Sequence, residues 1–162
     1  MFVLEKIEYS KIEELLVLLR ERSKWLESID KPMWNPAYLD SDSFIQKYQN
    51  PSCFLAKEGE NTIGGFILLE KDDGFWSESF DNDVFYIHKL VVDKRYEHRG
   101  YGKKILLKIA DYAKKEHKLR LRIDYYKDRK NLETLYTEVG FSIQEELVMP
   151  DGIVICKCEK TL

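Results

Sequence analysis

An α+β fold, a mixed sheet of about seven strands flanked by about four helices, is predicted for this 162-residue chain from three observations. Short runs rich in β-branched and aromatic residues come in pairs joined by turn residues, at 53–57 with 62–69 and at 141–148 with 153–158. One strand–helix–strand crossover follows Val84, which calls for a parallel pair beside those antiparallel hairpins. Helical periodicity is confined to the stretches between strands. The expected order is β-α-α-β-β-β-α-β-α-β-β, in one domain covering 1–162, because no linker, repeat or low-complexity segment interrupts it.

Taken in order, residues 2–8 form a short strand. Ser10 with Glu13 has the capping-box spacing, and Ile12, Leu15, Leu16 and Leu19 follow at helical period until about Trp25–Leu26. Pro32 and Pro36 make Lys31–Pro36 a loop. Asp40 to Ser43 offers N-caps to a short helix carrying Phe44 and Tyr48. Two strands turn at Glu58-Gly59-Glu60-Asn61. An acidic loop then holds Asp72, Asp73, Glu78, Asp81 and Asp83 beside Phe75 and Trp76. Val84–Val92 is β-branched and aromatic enough to be a buried strand. After Gly102 the stripe Ile105, Leu106, Ile109, Ala110 and Ala113 is amphipathic against a lysine face. Leu119–Tyr125 is a strand, Asn131 caps a helix ending at Gly140, and Pro150-Asp151-Gly152 turns the closing hairpin.

Composition narrows the function classes. A net charge of −3 leaves no global basic footprint for nucleic acid. The lysine face from Lys103 to Lys115 lacks the interleaved aromatics of a nucleic-acid platform. No apolar run approaches the roughly 20 residues that span a bilayer. Met1–Lys6 lacks the layout of a secretory signal, so no membrane partner and a cytoplasmic location are expected. Cys53, Cys156 and Cys158 are too few for a disulfide framework. Cys156 and Cys158 fit one face of a strand better than a metal site, and no metal is expected.

The chemistry concentrates where the strand ending at Val92 passes through Glu97-His98-Arg99-Gly100-Tyr101-Gly102-Lys103 into a helix. A helix N-terminus presents unpaired amides and partial positive charge, which suits a phosphate. Glycines allow close backbone approach, and His98, Arg99 and Lys103 add charge. The dinucleotide fingerprint fails because Ile105 stands where its third glycine belongs, and the spacing of nucleotide-hydrolase phosphate loops is absent.

Strand, Arg99-Gly100-Tyr101-Gly102, amphipathic helix, strand, then Asn131, Leu135-Tyr136 and Gly140-Phe141 together resemble the GNAT N-acetyltransferase family over residues 53 to 145. The resemblance implies the acyl-CoA N-acyltransferase fold, acetyl-CoA as co-substrate and a primary amine of a small molecule or peptide as acceptor. It places the coenzyme pyrophosphate on the backbone of His98, Arg99, Gly100, Tyr101, Gly102 and Lys103. The pantetheine arm falls along Leu90, Val91 and Val92, as an added strand would, with Asn131 also at the cofactor. A departure stands at Glu97, where the family carries Gln or Arg. A carboxylate there opposes pyrophosphate, so Glu97 is expected to turn outward.

Aminolysis of a thioester by direct attack in a ternary complex needs an acid for the leaving thiolate and a base for the amine. The resemblance assigns the acid to Tyr136. His88 lies twelve residues before Gly100, where the family's aralkylamine branch carries a histidine, and imidazole is a suitable base near neutrality. Glu78 or Asp83 acting through water is the alternative. The acidic loop is expected to attract a cationic amine, with Trp34 and Trp76 as walls of its site. A non-catalytic acyl-CoA sensor would need neither Tyr136 nor His88. Acceptor identity and a homodimer both stay open.

Overall fold

A computed structural model describes residues 1–77 and 81–162. Glu78, named above as an alternative base, lies outside the described residues. Seven strands form one sheet in the order β1-β2-β3-β4-β5-β7-β6. They are β1 (Phe2–Ile7), β2 (Ser52–Glu58), β3 (Asn61–Leu69), β4 (Val84–Val92), β5 (Arg120–Tyr126), β6 (Ser142–Val148) and β7 (Val154–Thr161). The helices are α1 (Ile12–Ser28), α2 (Ser41–Lys47), α3 (Tyr101–Lys115) and α4 (Lys130–Glu138). The predicted order and mixed sheet are both present, with β4 and β5 the parallel pair.

The chain divides into two compact units, Met1–Leu68 with His88–Gly102, and Leu69–Ile87 with Lys103–Leu162. In the first, β1 pairs antiparallel with β2 from Phe2 opposite Glu58 to Ile7 opposite Cys53, and β2 pairs with β3. Gly59, at φ +62, makes the two-residue turn between them. Leu15, Leu16 and Leu19 of α1 are fully buried. Gly65 is what lets α1 sit so low, since a Cβ there would fall 2.6 Å from the Leu15 side chain and 2.7 Å from the Phe54 carbonyl.

The second unit packs Trp76, Val84 and Tyr86 into a core beneath the parallel register Val84–Arg120 to Tyr86–Arg122. Strand β7 pairs antiparallel with both β5 and β6. Cys156 and Cys158 are buried in β7, as strand residues. Strand β6 ends the sheet order and is exposed along nearly its whole length, with Glu145 and Glu146 discouraging edge pairing.

Two expected caps do not form. Ser10 sits inside a 3₁₀ turn, Tyr9–Lys11, that feeds α1 directly, and its Lys11 amide already donates to the Glu8 carbonyl at 2.9 Å. Glu13 turns instead to Arg20 and Ser41. Asn131 lies in the first turn of α4, one residue inside it, with Arg129 at the cap position. Asp40 does cap α2, accepting from the Ser43 amide at 3.1 Å.

Candidate active site

In the first unit the loop expected to hold phosphate is assembled by a chain of local bonds. The Asp93 amide donates to the Ile63 carbonyl at 2.8 Å as β4 ends. Its carboxylate accepts from the Arg95 amide at 2.9 Å and from the Arg95 guanidinium at 2.7 Å, and that pairing holds the carboxyl below its usual range. After the short turn Lys94–Tyr96, His98 (φ +58) and Gly100 (φ +75) both adopt left-handed conformations, and α3 begins at Tyr101. Left-handed residues at this spacing curl a chain into an anion-accepting concavity, here followed at once by the unbonded first amides of a 15-residue helix.

The side chains around that loop divide their labour. Tyr101 is buried, its ring against Phe2 and Tyr96, and its hydroxyl donates to Glu58 at 2.5 Å. That bond keeps the phenol protonated above its usual range. Tyr101 therefore anchors the start of α3 with its side chain and leaves only its backbone for a ligand. Arg99 is exposed, lies over the Tyr96 ring at 5.6 Å, and makes no ion pair among the described residues. His98 and Gly100 are exposed, and Gly102 is half-buried in the first turn of α3.

Glu97 does not turn out to solvent. Its carboxylate pairs with Arg22 of α1, and both side chains are largely shielded. Arg22 also donates to the Val92 carbonyl at 2.9 Å and lies over the Trp25 ring at 5.0 Å. The carboxylate that opposed the phosphate reading is thus neutralised from another element. Of the Leu90–Val92 segment, the Val92 carbonyl is taken by Arg22 and the Val91 carbonyl lies against Gly64, so strand addition cannot use those two acceptors freely. Beside them Leu18, Arg22, Trp25, Val92, Asp93 and Lys94 help line a pocket of about 380 Å³. Neither Arg22 nor Trp25 stood out in the sequence, where each reads as an ordinary residue of an amphipathic helix.

Farther back on β4, His88 is half-buried with its ring 6.1 Å from that of Tyr48. The next residue, Lys89, has φ +56 within β4, a left-handed conformation uncommon for a non-glycine residue. Its ammonium sits over Trp34 at 5.3 Å and over Tyr48 at 5.6 Å. The Ser23 hydroxyl of α1 donates to the Trp34 carbonyl at 3.4 Å, which ties the loop to the helix.

In the second unit, Tyr136 of α4 is buried, edge-on to Tyr125 at 5.5 Å and Phe141 at 6.0 Å. Burial first, then Asp124 and Cys158, push its phenol well above the usual range, so the group carries its proton at all ordinary pH. Asn131 is exposed in the first turn of α4, and Lys103 reaches Glu138 at 3.8 Å.

Among the described residues, the carboxylates of the acidic loop are engaged within the protein rather than open to a cation. Asp83 pairs with Arg120 at 2.8 Å, Asp81 with Arg122 at 3.1 Å, and Asp73 with Lys71 at 3.1 Å. Asp72 is buried and accepts from the Gly74 amide at 2.8 Å. Trp76 is a core residue, with Lys157 over its ring at 4.5 Å and Arg122 at 4.8 Å. Its spacing beside Phe75 carried no signal that would separate a wall from a core.

Residues 19–141 match the model of the acetyltransferase (GNAT) family. This chain belongs to that family. It is by class an acetyl-CoA-dependent N-acetyltransferase, with acetyl-CoA as its co-substrate. It is 23% identical over 139 residues to an uncharacterised N-acetyltransferase, YesJ, of Bacillus subtilis (strain 168), covering 82% of this chain and 77% of that protein. The fold is shared with the aminoglycoside acetyltransferase AAC(6')-Ib solved with coenzyme A, at TM-score 0.77 and 17% identity over 99% of this chain and 95% of that one. A spermidine N-acetyltransferase SpeG chimera from Vibrio cholerae and hSSAT superposes at TM-score 0.76 with 14% identity, covering 99% and 95%. No described helix is long and apolar enough to cross a membrane.

Proposed function

We propose that the chain transfers the acetyl group of acetyl-CoA to a primary amine by direct attack in a ternary complex. The observation that carries this reading is the loop Glu97–Gly102: two left-handed residues open α3, and the one opposing carboxylate is neutralised by Arg22. On this reading the backbone of His98 to Lys103 holds the pyrophosphate, with Arg99 free to add a charge-assisted bond. Of the Leu90–Val92 main chain, the groups not held by Arg22 or against Gly64 guide pantetheine, and Asn131 lies at the same cofactor. Tyr136 is the acid for the departing thiolate; burial holds its proton on beforehand and also makes it a weaker acid, so the thiolate must gain its proton as the C–S bond breaks rather than after. His88 takes the proton from the acceptor's ammonium, with Asp83 the weaker alternative since it is engaged by Arg120. That one neighbour of this fold is an aminoglycoside acetyltransferase solved with coenzyme A and kanamycin, and another is named a spermidine N-acetyltransferase, supports an amine acceptor of some kind.

Replacing Gly102 by Val sets a branched side chain in the first turn of α3, where the coenzyme backbone must approach closely. Calorimetry on a folded Gly102→Val protein should find acetyl-CoA affinity lowered at least about tenfold, roughly the loss of one charge-assisted bond. Native affinity in that variant would remove the pyrophosphate from this loop.

A further inference from the structure

Arg22 of α1 ties together two points on a segment far from it in sequence. Its Nη2 donates to the Val92 carbonyl at 2.9 Å, where β4 ends, and pairs with the Glu97 carboxylate at the edge of the glycine loop. Its guanidinium carbon lies over the Trp25 ring at 5.0 Å, and the Lys94 ammonium lies over the same ring at 5.4 Å. The Arg22 and Glu97 side chains are only 17% and 22% exposed, so the fork is held in one place. A guanidinium carries five N–H donors, and Nη2 accounts for two of them. The three on Nε and Nη1 meet no acceptor among the described residues, and Arg22 lines the pocket of about 380 Å³ between α1 and the end of β4. An ordered guanidinium with donors to spare suits an oxyanion, and its planar fork matches phosphate. Lys24 and Lys94 line the same pocket and add positive charge. Of its two carboxylates, Asp93 is engaged by Arg95, which leaves the exposed Glu21 as the opposing charge.

We propose that Arg22 binds the coenzyme pyrophosphate directly, so that a helix outside the glycine loop completes the cofactor site. This rests on the transferase reading above and adds a binding residue to it. The two points that Arg22 joins decide which group it meets. Val92 ends the segment assigned to pantetheine, and Glu97 borders the backbone assigned to the pyrophosphate. A side chain bridging them stands where one part of the coenzyme gives way to the other. Glu97 fixes the guanidinium there, yet it also sets negative charge close to the phosphates. Two roles for Arg22 are therefore separable. If it only cancels Glu97, removing both charges together leaves coenzyme affinity intact. If it also donates to phosphate, its loss weakens binding even where position 97 is already neutral.

The test is calorimetry with acetyl-CoA on the native protein, Arg22→Gln, Glu97→Gln and the double variant, each checked for folding by circular dichroism. Arg22→Gln should weaken binding about 10–100-fold, while Glu97→Gln should bind at least as tightly as the native protein. Parallel losses in these two variants, which break the same ion pair, would make Arg22 a structural tether and overturn the proposal. The deciding comparison is the double variant against Glu97→Gln, since neither retains the opposing carboxylate. The double variant should bind about tenfold more weakly. Equal affinity in that pair confines Arg22 to neutralising Glu97 and overturns the proposal. Dephospho-CoA, which keeps the pyrophosphate and lacks the 3′-phosphate, should show the same difference between the two proteins. A difference confined to the full coenzyme moves Arg22 to the 3′-phosphate and overturns the assignment. If the double variant does not fold, Arg22→Met combined with Glu97→Gln keeps an apolar stem over Trp25 and takes its place, with the same expectation. Absence of acetyl-CoA binding by the native chain registers separately: it overturns the transferase reading, and this assignment with it.

Discussion

A phenol acting as a general acid must keep its proton through the attack and release it only when the thiolate appears. Tyr136 meets the first half of that requirement, because burial, Asp124 and Cys158 all disfavour its phenolate. The sign of the shift has a kinetic consequence. The acid form persists above the ordinary tyrosine range of about 10, so no loss of kcat attributable to this group should appear below it. Tyr136→Phe keeps the ring between Tyr125 and Phe141 and removes the proton, so kcat should fall about 10²–10⁴-fold with acetyl-CoA affinity retained. Native turnover in that variant would return Tyr136 to a purely packing role. The proposed base has a test of its own: His88→Gln should lower kcat/KM about 10²–10⁴-fold with acetyl-CoA affinity retained. Native kcat/KM in that variant would exclude His88 as the base.

At the scale of elements, β3 and β4 approach each other through a glycine. A Cβ on Gly64 would lie 2.2 Å from the Val91 carbonyl oxygen and 3.1 Å from the Val92 Cα, both backbone atoms that no rotamer change can move. Gly64→Ala should therefore destabilise the fold by about 1–3 kcal/mol in urea unfolding, the usual cost of overpacking, and should also shift the end of β4 that leads to the phosphate loop. Wild-type stability in Gly64→Ala would mean that the strands separate without penalty. The sequence announced the elements well because their signals are local: alternation in β2 and β3, the apolar stripe of α3, and the Gly59 turn. It missed what depends on a distant partner. Glu97 looked like a residue needing solvent, yet Arg22, seventy-five positions away, answers it. The Ser10 box failed because the chain enters α1 through a 3₁₀ turn that bonds the Lys11 and Ile12 amides and delays the helix to Ile12. Trp34 and Trp76 looked alike in the sequence; one came to lie over Lys89 and the other under Arg122 and Lys157. No spacing rule distinguishes those outcomes, since the deciding cations come from other strands.

For the molecule as a whole, the question is whether acetyl passes directly to the amine or rests first on the protein. A resting acetyl group needs an accessible nucleophile, and thiols are the groups best suited to take it from a thioester. All three cysteines are free and buried. Burial pushes the Cys53 thiol up to about 11 and the Cys158 thiol up to about 12, so neither offers thiolate near neutrality. Direct attack within a ternary complex is what this distribution leaves open to the protein's sulfur chemistry. Initial velocities measured against both substrates should then give intersecting double-reciprocal lines, and intact mass after incubation with acetyl-CoA alone should show no acetyl adduct. The same burial makes the native chain nearly silent toward a thiol-trapping reagent at neutral pH, with its cysteines reacting only after denaturation. Coenzyme A release can therefore be followed by that reagent without a protein background. Parallel lines together with an acetyl adduct on a cysteine would show that one of these thiols becomes exposed during turnover, and would replace direct attack with a two-step transfer.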